Sequence, residues 1–174
     1  MRRGKALLML TLLAGPVTAE VTDAATAGFG VEQVREVPQA PALAWALFVE
    51  EVGRWWNGAH TWFGDASALS IEAEAGGCFC ERASAGTVEH LRVGMAAPGR
   101  SLRLLGGLGP LQPLGVAGAL SVDFEALEAG GSRVRLVYRV SGHTPGGLEA
   151  WAGPVDAVLG EQLERYAAHA AAAD

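Results

Sequence analysis

Lysine is almost missing from this chain: Lys5 is the only one in 174 residues. No lysine remains beyond the fifth position, which excludes Schiff-base chemistry and phosphate-loop binding through a lysine. Cationic charge is scarce altogether. Residues 20–174 hold ten arginines against nineteen aspartates and glutamates, a net charge of about −9 by counting. No basic patch can form on such a surface, which argues against nucleic acid and against anionic lipid as partners. Long apolar runs are missing too. The stretch Ala6–Leu13 falls far short of the roughly 20 residues that a membrane span needs. No GxSxG, HExxH, CxxC or dinucleotide-binding glycine pattern occurs. His60, His90, His143 and His169 are scattered, with no two at ligand spacing on one helix. A metal site and a cofactor are therefore not expected.

The first nineteen residues have their own logic. Arg2, Arg3 and Lys5 form a basic start, Ala6–Leu13 an apolar centre, Gly15 and Pro16 a break, and Val17-Thr18-Ala19 a small-residue cleavage site. Residues 1–19 are expected to be a signal peptide cleaved after Ala19. The mature protein is then periplasmic or secreted, without stable membrane insertion. Residues 20–30 are small and polar and read as a flexible leader, leaving residues 31–172 as a single domain.

Within that domain the order of elements is informative. Val31–Val37 alternates as a strand. Pro41 opens a helical stretch with Ala42, Trp45, Ala46, Phe48 and Val49 on one face. A second short helix carries Val52, Trp55 and Trp56, and Asn57-Gly58 ends it. From Leu69 the period switches to two, with turns at Gly76-Gly77, Ala85-Gly86, Pro98-Gly99 and Gly130-Gly131. The last strands, 119–127 and 133–140, place Leu120, Val122, Phe124, Val134, Leu136, Tyr138 and Val140 on one face. Residues 154–172 close the chain as an amphipathic helix, with Val155, Val158, Leu159, Gln162, Leu163, Tyr166 and Ala170 recurring at helical spacing. One helix facing many strands can bury its stripe only by lying across a sheet curved around it. This is an α+β arrangement that often leaves a cavity for an apolar ligand.

Hairpin arithmetic assigns faces to the middle strands. With Gly76-Gly77 and Ala85-Gly86 as two-residue turns, Cys80 opposes Ala73 and Leu91, and Cys78 opposes Ala75 and Val93. The core face then holds Ile71, Ala73, Cys78, Cys80, Leu91, Val93 and Met95. The polar face holds Glu72, Glu74, Phe79, Glu81, His90 and Arg92. A one-residue bulge would exchange the two. Cys78 and Cys80 accordingly read as two small buried residues, two apart on a strand and poorly placed to bond each other.

Three groups invite a chemical reading. Glu81 and His90 come out opposite one another, a carboxylate that can orient an imidazole for acid–base work; on the polar face the same pair reads as a solvated cross-strand contact. Residues 54–65 bring Trp55, Trp56, Trp62 and Phe63 together with His60, Thr61 and Asp65, which suits either a pocket mouth or a loop pinned to the core. The 106–118 stretch has glycines but no lysine and no following helix; Leu108, Leu111 and Leu114 suit a cap over an apolar cavity. His143, in the turn before the last helix, reads as solvated or as a further lining group.

The Trp55-Trp56 pair, Gly76-Gly77-Cys78-Phe79-Cys80-Glu81, Val88-Glu89-His90, residues 98–104, residues 107–111 and residues 155–159 together resemble the START-like (SRPBCC) superfamily. The closest branch is that of the Hsp90 ATPase activator C-terminal domain and polyketide cyclase-like proteins. The resemblance covers residues 31–170. It implies a helix-grip fold, a curved antiparallel sheet wrapped around a long C-terminal helix with two short helices after the first strand. It also implies a small apolar or amphipathic ligand in the cavity between sheet and helix. Trp56, Trp62, Phe63, Met95, Leu104, Leu111, Phe124, Tyr138, Val155 and Leu159 are the expected lining or gating residues. Two other readings stand beside a carrier. One is a cyclase- or dehydratase-type enzyme using His60, His143 or the Glu81–His90 pair, which requires a buried histidine with a carboxylate partner facing the cavity. The other is a chaperone-like interaction module with a filled interior.

Overall fold

The computed structural model describes residues 18–173. The expected signal segment thus lies outside the described residues, except for Thr18 and Ala19. Eight strands form one antiparallel sheet in the order β1-β2-β8-β7-β6-β5-β4-β3. They are β1 (Thr18–Ala25), β2 (Gly28–Val37), β3 (Leu69–Ile71), β4 (Cys78–Ala83), β5 (Gly86–Ala97), β6 (Ser101–Leu105), β7 (Ala117–Ala126) and β8 (Ser132–Ser141). Helices α1 (Pro41–Glu50) and α2 (Val52–Trp55) follow β2, and α3 (Ala152–Ala171) closes the chain. Among the described residues no helix is long and apolar enough to cross a membrane.

The 20–30 segment is not a free leader. Its first half is most of β1, paired with β2 from Thr18↔Val34 to Ala25↔Gly28. Residues 20–27 are all exposed, so this edge strand is held by backbone pairing and shows no alternation of apolar residues. Where apolar payload is present, the pattern is plain. Leu120, Val122, Phe124, Val134, Leu136, Tyr138 and Val140 are all buried in the core, and each fully buried side chain of this size contributes about 1.5–3 kcal/mol. Phe124 packs edge-on against Trp45 and Phe48 of α1.

Helix α3 runs beside β2 in the same direction. Gln33 donates to the Asp156 carboxylate at 2.6 Å, Arg35 pairs with Glu164 at 2.7 Å, and Gln39 donates to the Ala170 carbonyl at 2.6 Å. Leu159, Gln162, Leu163, Tyr166 and Ala170 form its buried stripe. The Tyr166 hydroxyl donates to the Ala44 carbonyl at 2.7 Å, tying α3 to α1.

The middle strands correct the hairpin arithmetic. Strand β3 stops at Ile71, and β3 pairs with β4 as Ile71↔Phe79 and Leu69↔Glu81. The connection is therefore a six-residue loop instead of a Gly-Gly turn. Between β4 and β5 the turn is Ser84-Ala85, Glu81 opposes Val88, and Phe79 opposes Leu91. His90 is the extra residue of a bulge. Both His90 and Leu91 are buried, as a bulge that turns two successive side chains inward allows. On β4 the faces are exchanged: Phe79 joins the core, Glu81 turns inward with it, and Cys78 and Cys80, still buried, turn to the other side, with Cys78 beside Glu72 and Arg82. On β5, Leu91 and Val93 keep the core side expected of them, and His90 turns inward beside them. Cys78 and Cys80 are joined by a disulfide, where the strand spacing argued for two separate thiols. Their Cα atoms lie 5.4 Å apart, against roughly 6.6 Å for two fully extended residues. A second irregularity at Gly94 pairs Met95 with Arg103, placing Met95 on the outer face rather than in the core.

Candidate functional site

The turn after α2 is built by its own side chains. The Asn57 carboxamide accepts the Ala59 N–H at 2.9 Å, the Thr61 hydroxyl donates to the Gly58 carbonyl at 2.8 Å, and the Trp56 indole donates to the His60 carbonyl at 3.1 Å. α3 anchors this turn from below. Gln162 accepts the Asn57 N–H at 2.8 Å, and Glu161 accepts from the Asn57 carboxamide and pairs with His60 Nε2 at 3.2 Å. The Asn57 bond, assisted by His60, holds the Glu161 carboxyl below its ordinary pKa.

Opposite this turn lies the loop before β7. The Tyr138 hydroxyl donates to the Gly106 carbonyl at 2.8 Å and accepts the Leu108 N–H at 2.9 Å. Burial pushes the phenol up to about 12, so it stays protonated and keeps both bonds. The loop then turns through Gly109–Leu114, with Leu111 buried.

Between the 58–62 turn, the 108–111 loop, the sheet and the N-terminal half of α3 is a cavity of about 300 Å³. Trp56, Leu108, Leu111, Trp151, Val155 and Leu159 supply most of its apolar wall, and exposed Trp62 and His60 stand at the mouth. A separate void of about 20 Å³ lies deeper in the core, lined in part by Phe48, Phe79, Leu104 and Gln162.

One titratable pair is sealed into the wall. Glu81 is 0% exposed and His90 5% exposed. The Glu81 carboxylate accepts the N–H groups of Trp62 and Phe63, each at 2.8 Å, and meets His90 Nε2 at 3.1 Å. The Phe79 ring packs against the imidazole with centroids 5.0 Å apart. Both carboxylate oxygens already accept a backbone N–H, so the proton of the Glu81–His90 bond belongs on Nε2. Nδ1 has no partner among the described residues, and His90 lines the cavity. Burial lowers the pKa of His90 from the ordinary 6.5, with the Glu81 hydrogen bond opposing it. The imidazole is thus neutral at pH 7, with a bare acceptor nitrogen.

A pH dependence of stability follows. Glu81 and Phe79 from β4 pack against His90; Tyr138 from β8 and His60 share the cavity lining with it, and Glu161 pairs with His60. Folded His90 takes up a proton at lower pH than the same residue in the unfolded chain. Its contribution is therefore complete above about pH 6.5 and declines as pH falls from there toward the lower folded value. Urea midpoints of the wild type and His90→Gln, followed downward from pH 7, should diverge in slope over this interval. Superimposable slopes would refute the assignment.

Of the residues singled out from the sequence, Trp56, Trp62, Leu111, Tyr138, Val155 and Leu159 meet around this one cavity. Phe63 stands half exposed beside it, its ring over Gly86. Leu104 and Phe124 are core residues away from it, and Met95 is on the outer face. His60 is at the mouth, whereas His143 is exposed and lines no part of the cavity. The Glu81–His90 pair is buried, not solvated, because the bulge at His90 turns it inward. Trp151 and Pro154 line the cavity without a sequence signal, being isolated residues around a helix start. Among the described residues no cluster of three potential metal ligands occurs.

No protein-family model and no curated protein matches this sequence. Solved structures do share its fold. Protein Ms6760 from Mycobacterium smegmatis is similar over 91% of this chain and 99% of its own, with a TM-score of 0.60 and 14% identity. Mll3558 from Rhizobium loti is similar over 88% and 99%, with a TM-score of 0.56 and 19% identity. EF2215 from Enterococcus faecalis, a conserved protein of unknown function, is similar over 84% and 74%, with a TM-score of 0.51 and 11% identity. At such identities the likeness is one of fold, an antiparallel sheet with a long C-terminal helix.

Proposed function

We propose that this protein is an exported START-like domain that binds a small hydrophobic or amphipathic molecule between its sheet and α3. The observation that supports this most is the cavity of about 300 Å³ with a largely apolar wall and a tryptophan at its mouth. A ligand hiding roughly 200 Å² of apolar surface there gains about 5 kcal/mol at 25 cal/mol per Å², before the cost of association. The basic and apolar segments at residues 2–13 support export to the periplasm or beyond. The resemblance of residues 31–170 to the branch named after the Hsp90 ATPase activator C-terminal domain and polyketide cyclases supports the family.

A second reading is favoured by one specific feature. A buried histidine with a carboxylate partner, facing the cavity, is what a cyclase- or dehydratase-type enzyme requires. Nδ1 of His90 would act as the base, and Glu81 would orient the ring and stabilise the imidazolium.

Native mass spectrometry of the full chain isolated from its own host, followed by organic extraction, separates the two. The carrier reading expects an apolar adduct that survives purification and displacement of the neutral fluorophore N-phenyl-1-naphthylamine by the extract. A bare mass in repeated preparations, with the fluorophore still bound by the protein, favours an enzyme that releases its product. No fluorophore binding at all overturns the ligand reading.

A further inference from the structure

The polar groups in the buried part of the cavity are nearly all committed. The Trp56 indole N–H is spent on the His60 carbonyl, the Tyr138 O–H on the Gly106 carbonyl, and the Thr61 O–H on the Gly58 carbonyl. His90 Nε2–H is spent on Glu81. Among these four groups no N–H or O–H is left over, and His90 Nδ1 is the acceptor atom with no hydrogen bond at all; the Thr61 and Tyr138 oxygens keep spare lone pairs, and the indole N–H of Trp151, also in the lining, has no hydrogen bond among the described residues. The unpaired, fully buried side-chain atoms among the described residues belong to Gln33, Gln39 and Gln162 and do not include Nδ1, and His90 lines the cavity.

We propose that the cavity selects a neutral apolar molecule carrying a hydroxyl group, which donates its hydrogen bond to His90 Nδ1. This rests on the ligand-binding reading above and specifies the chemical class that the site takes. An anion is rejected at the same point. At Nδ1 a carboxylate brings only acceptors to an atom that is itself an acceptor, with the Glu81 carboxylate 3.1 Å from Nε2 on the other side of the ring. A buried anion set against an acceptor lone pair is strongly disfavoured. A pure hydrocarbon is accepted but leaves Nδ1 without water or partner, forfeiting one hydrogen bond. Glu81 fixes this preference through the tautomer. Because its oxygens hold the Nε2 proton, the neutral ring keeps Nδ1 as an acceptor, and Nδ1 becomes a donor only when the imidazole takes up a second proton.

The test uses three probes of one shape, 2-naphthol, 2-methylnaphthalene and 2-naphthoate, titrated at pH 7.5 into the full chain with tryptophan fluorescence as readout. Trp56, Trp62 and Trp151 line the cavity and report occupancy. 2-Naphthol is expected to bind about three- to tenfold more tightly than 2-methylnaphthalene, and 2-naphthoate to bind most weakly of the three. In His90→Phe the order of the first two should reverse, since the hydroxyl then loses its partner. In His90→Asn, whose carboxamide oxygen stands near the place of Nδ1, part of the preference should return. Equal or inverted affinities of 2-naphthol and 2-methylnaphthalene in the wild type overturn the hydroxyl preference and leave the cavity reading standing. Tight binding of 2-naphthoate overturns it as well. Binding of none of the three overturns both. The wild-type comparison decides the matter even if a variant fails to fold.

Discussion

Replacing Glu81 by alanine is expected to destabilise the fold by about 3–5 kcal/mol. The carboxylate is fully buried and accepts three donors, the N–H groups of Trp62 and Phe63 and the imidazole Nε2–H of His90. Each donor left unpaired in the interior costs about 1–3 kcal/mol. Water can reach some of them, since the side chains of Trp62 and Phe63 are exposed, which keeps the total below the sum. Glu81→Gln should cost less, because the amide oxygen still accepts one backbone N–H while its NH₂ group faces donors and cannot serve them. Urea unfolding gives the free energies, and amide hydrogen exchange at Trp62 and Phe63 reports whether the turn has come loose. A loss under about 1 kcal/mol for the alanine variant, in the range of an exposed pair, would mean that the carboxylate is solvated and does not organise the cavity wall. The functional consequence follows from the same bonds. Glu81 ties the mouth residue Trp62 and the acceptor His90 to one strand, so its removal should loosen mouth and wall together.

A methyl group at Gly118 is expected to cost about 3 kcal/mol, lowering Tm by roughly 6–12 °C for a domain of this size. A Cβ built there collides with the Gly106 carbonyl oxygen and lies 2.8 Å from the Tyr138 hydroxyl. The Gly106 N–H also donates to the Gly118 carbonyl at 2.9 Å, so the two backbones cannot part without losing that bond. Reducing the freedom of the unfolded chain favours alanine by about 0.4–1 kcal/mol. The collision outweighs it, because the obstacle is backbone and cannot rotate away. The strain should leave through the 106–114 loop, which the Tyr138 hydroxyl holds over the cavity. Limited proteolysis should therefore cut the Gly118→Ala protein inside this loop at protease levels that spare the wild type. An unchanged Tm with no new cleavage would show that the loop already has room to move.

The N-terminal edge and the paired cysteines show one way in which sequence reading falls short. β1 buries none of its described side chains, so it lacks the alternation by which strands are recognised, yet its backbone pairs along β2. The cysteines looked too far apart because a fully extended strand was assumed, whereas their Cα atoms are 5.4 Å apart, next to the register shift between Phe79 and Cys80.

What the sequence determined by itself is whatever depends on local period. The alternation of β7 and β8, with Phe124 and Tyr138 inward, is a property of each strand alone. So is the stripe Leu159, Leu163, Tyr166 and Ala170 on α3, and one such helix facing a sheet leaves few architectures open. Tertiary structure alone decided parity. Ending β3 at Ile71 and inserting His90 as a bulge shifts the register by one residue, and with a side-chain period of two that exchanges the faces of β4. Glu81 and His90 thereby pass from a solvated pair to a buried one in the cavity wall, and Cys78 and Cys80 pass to the opposite side of the sheet, where they are still buried. The loop length and the bulge concern how β3, β4 and β5 pair with one another, a relation between separate segments that no single stretch of sequence contains.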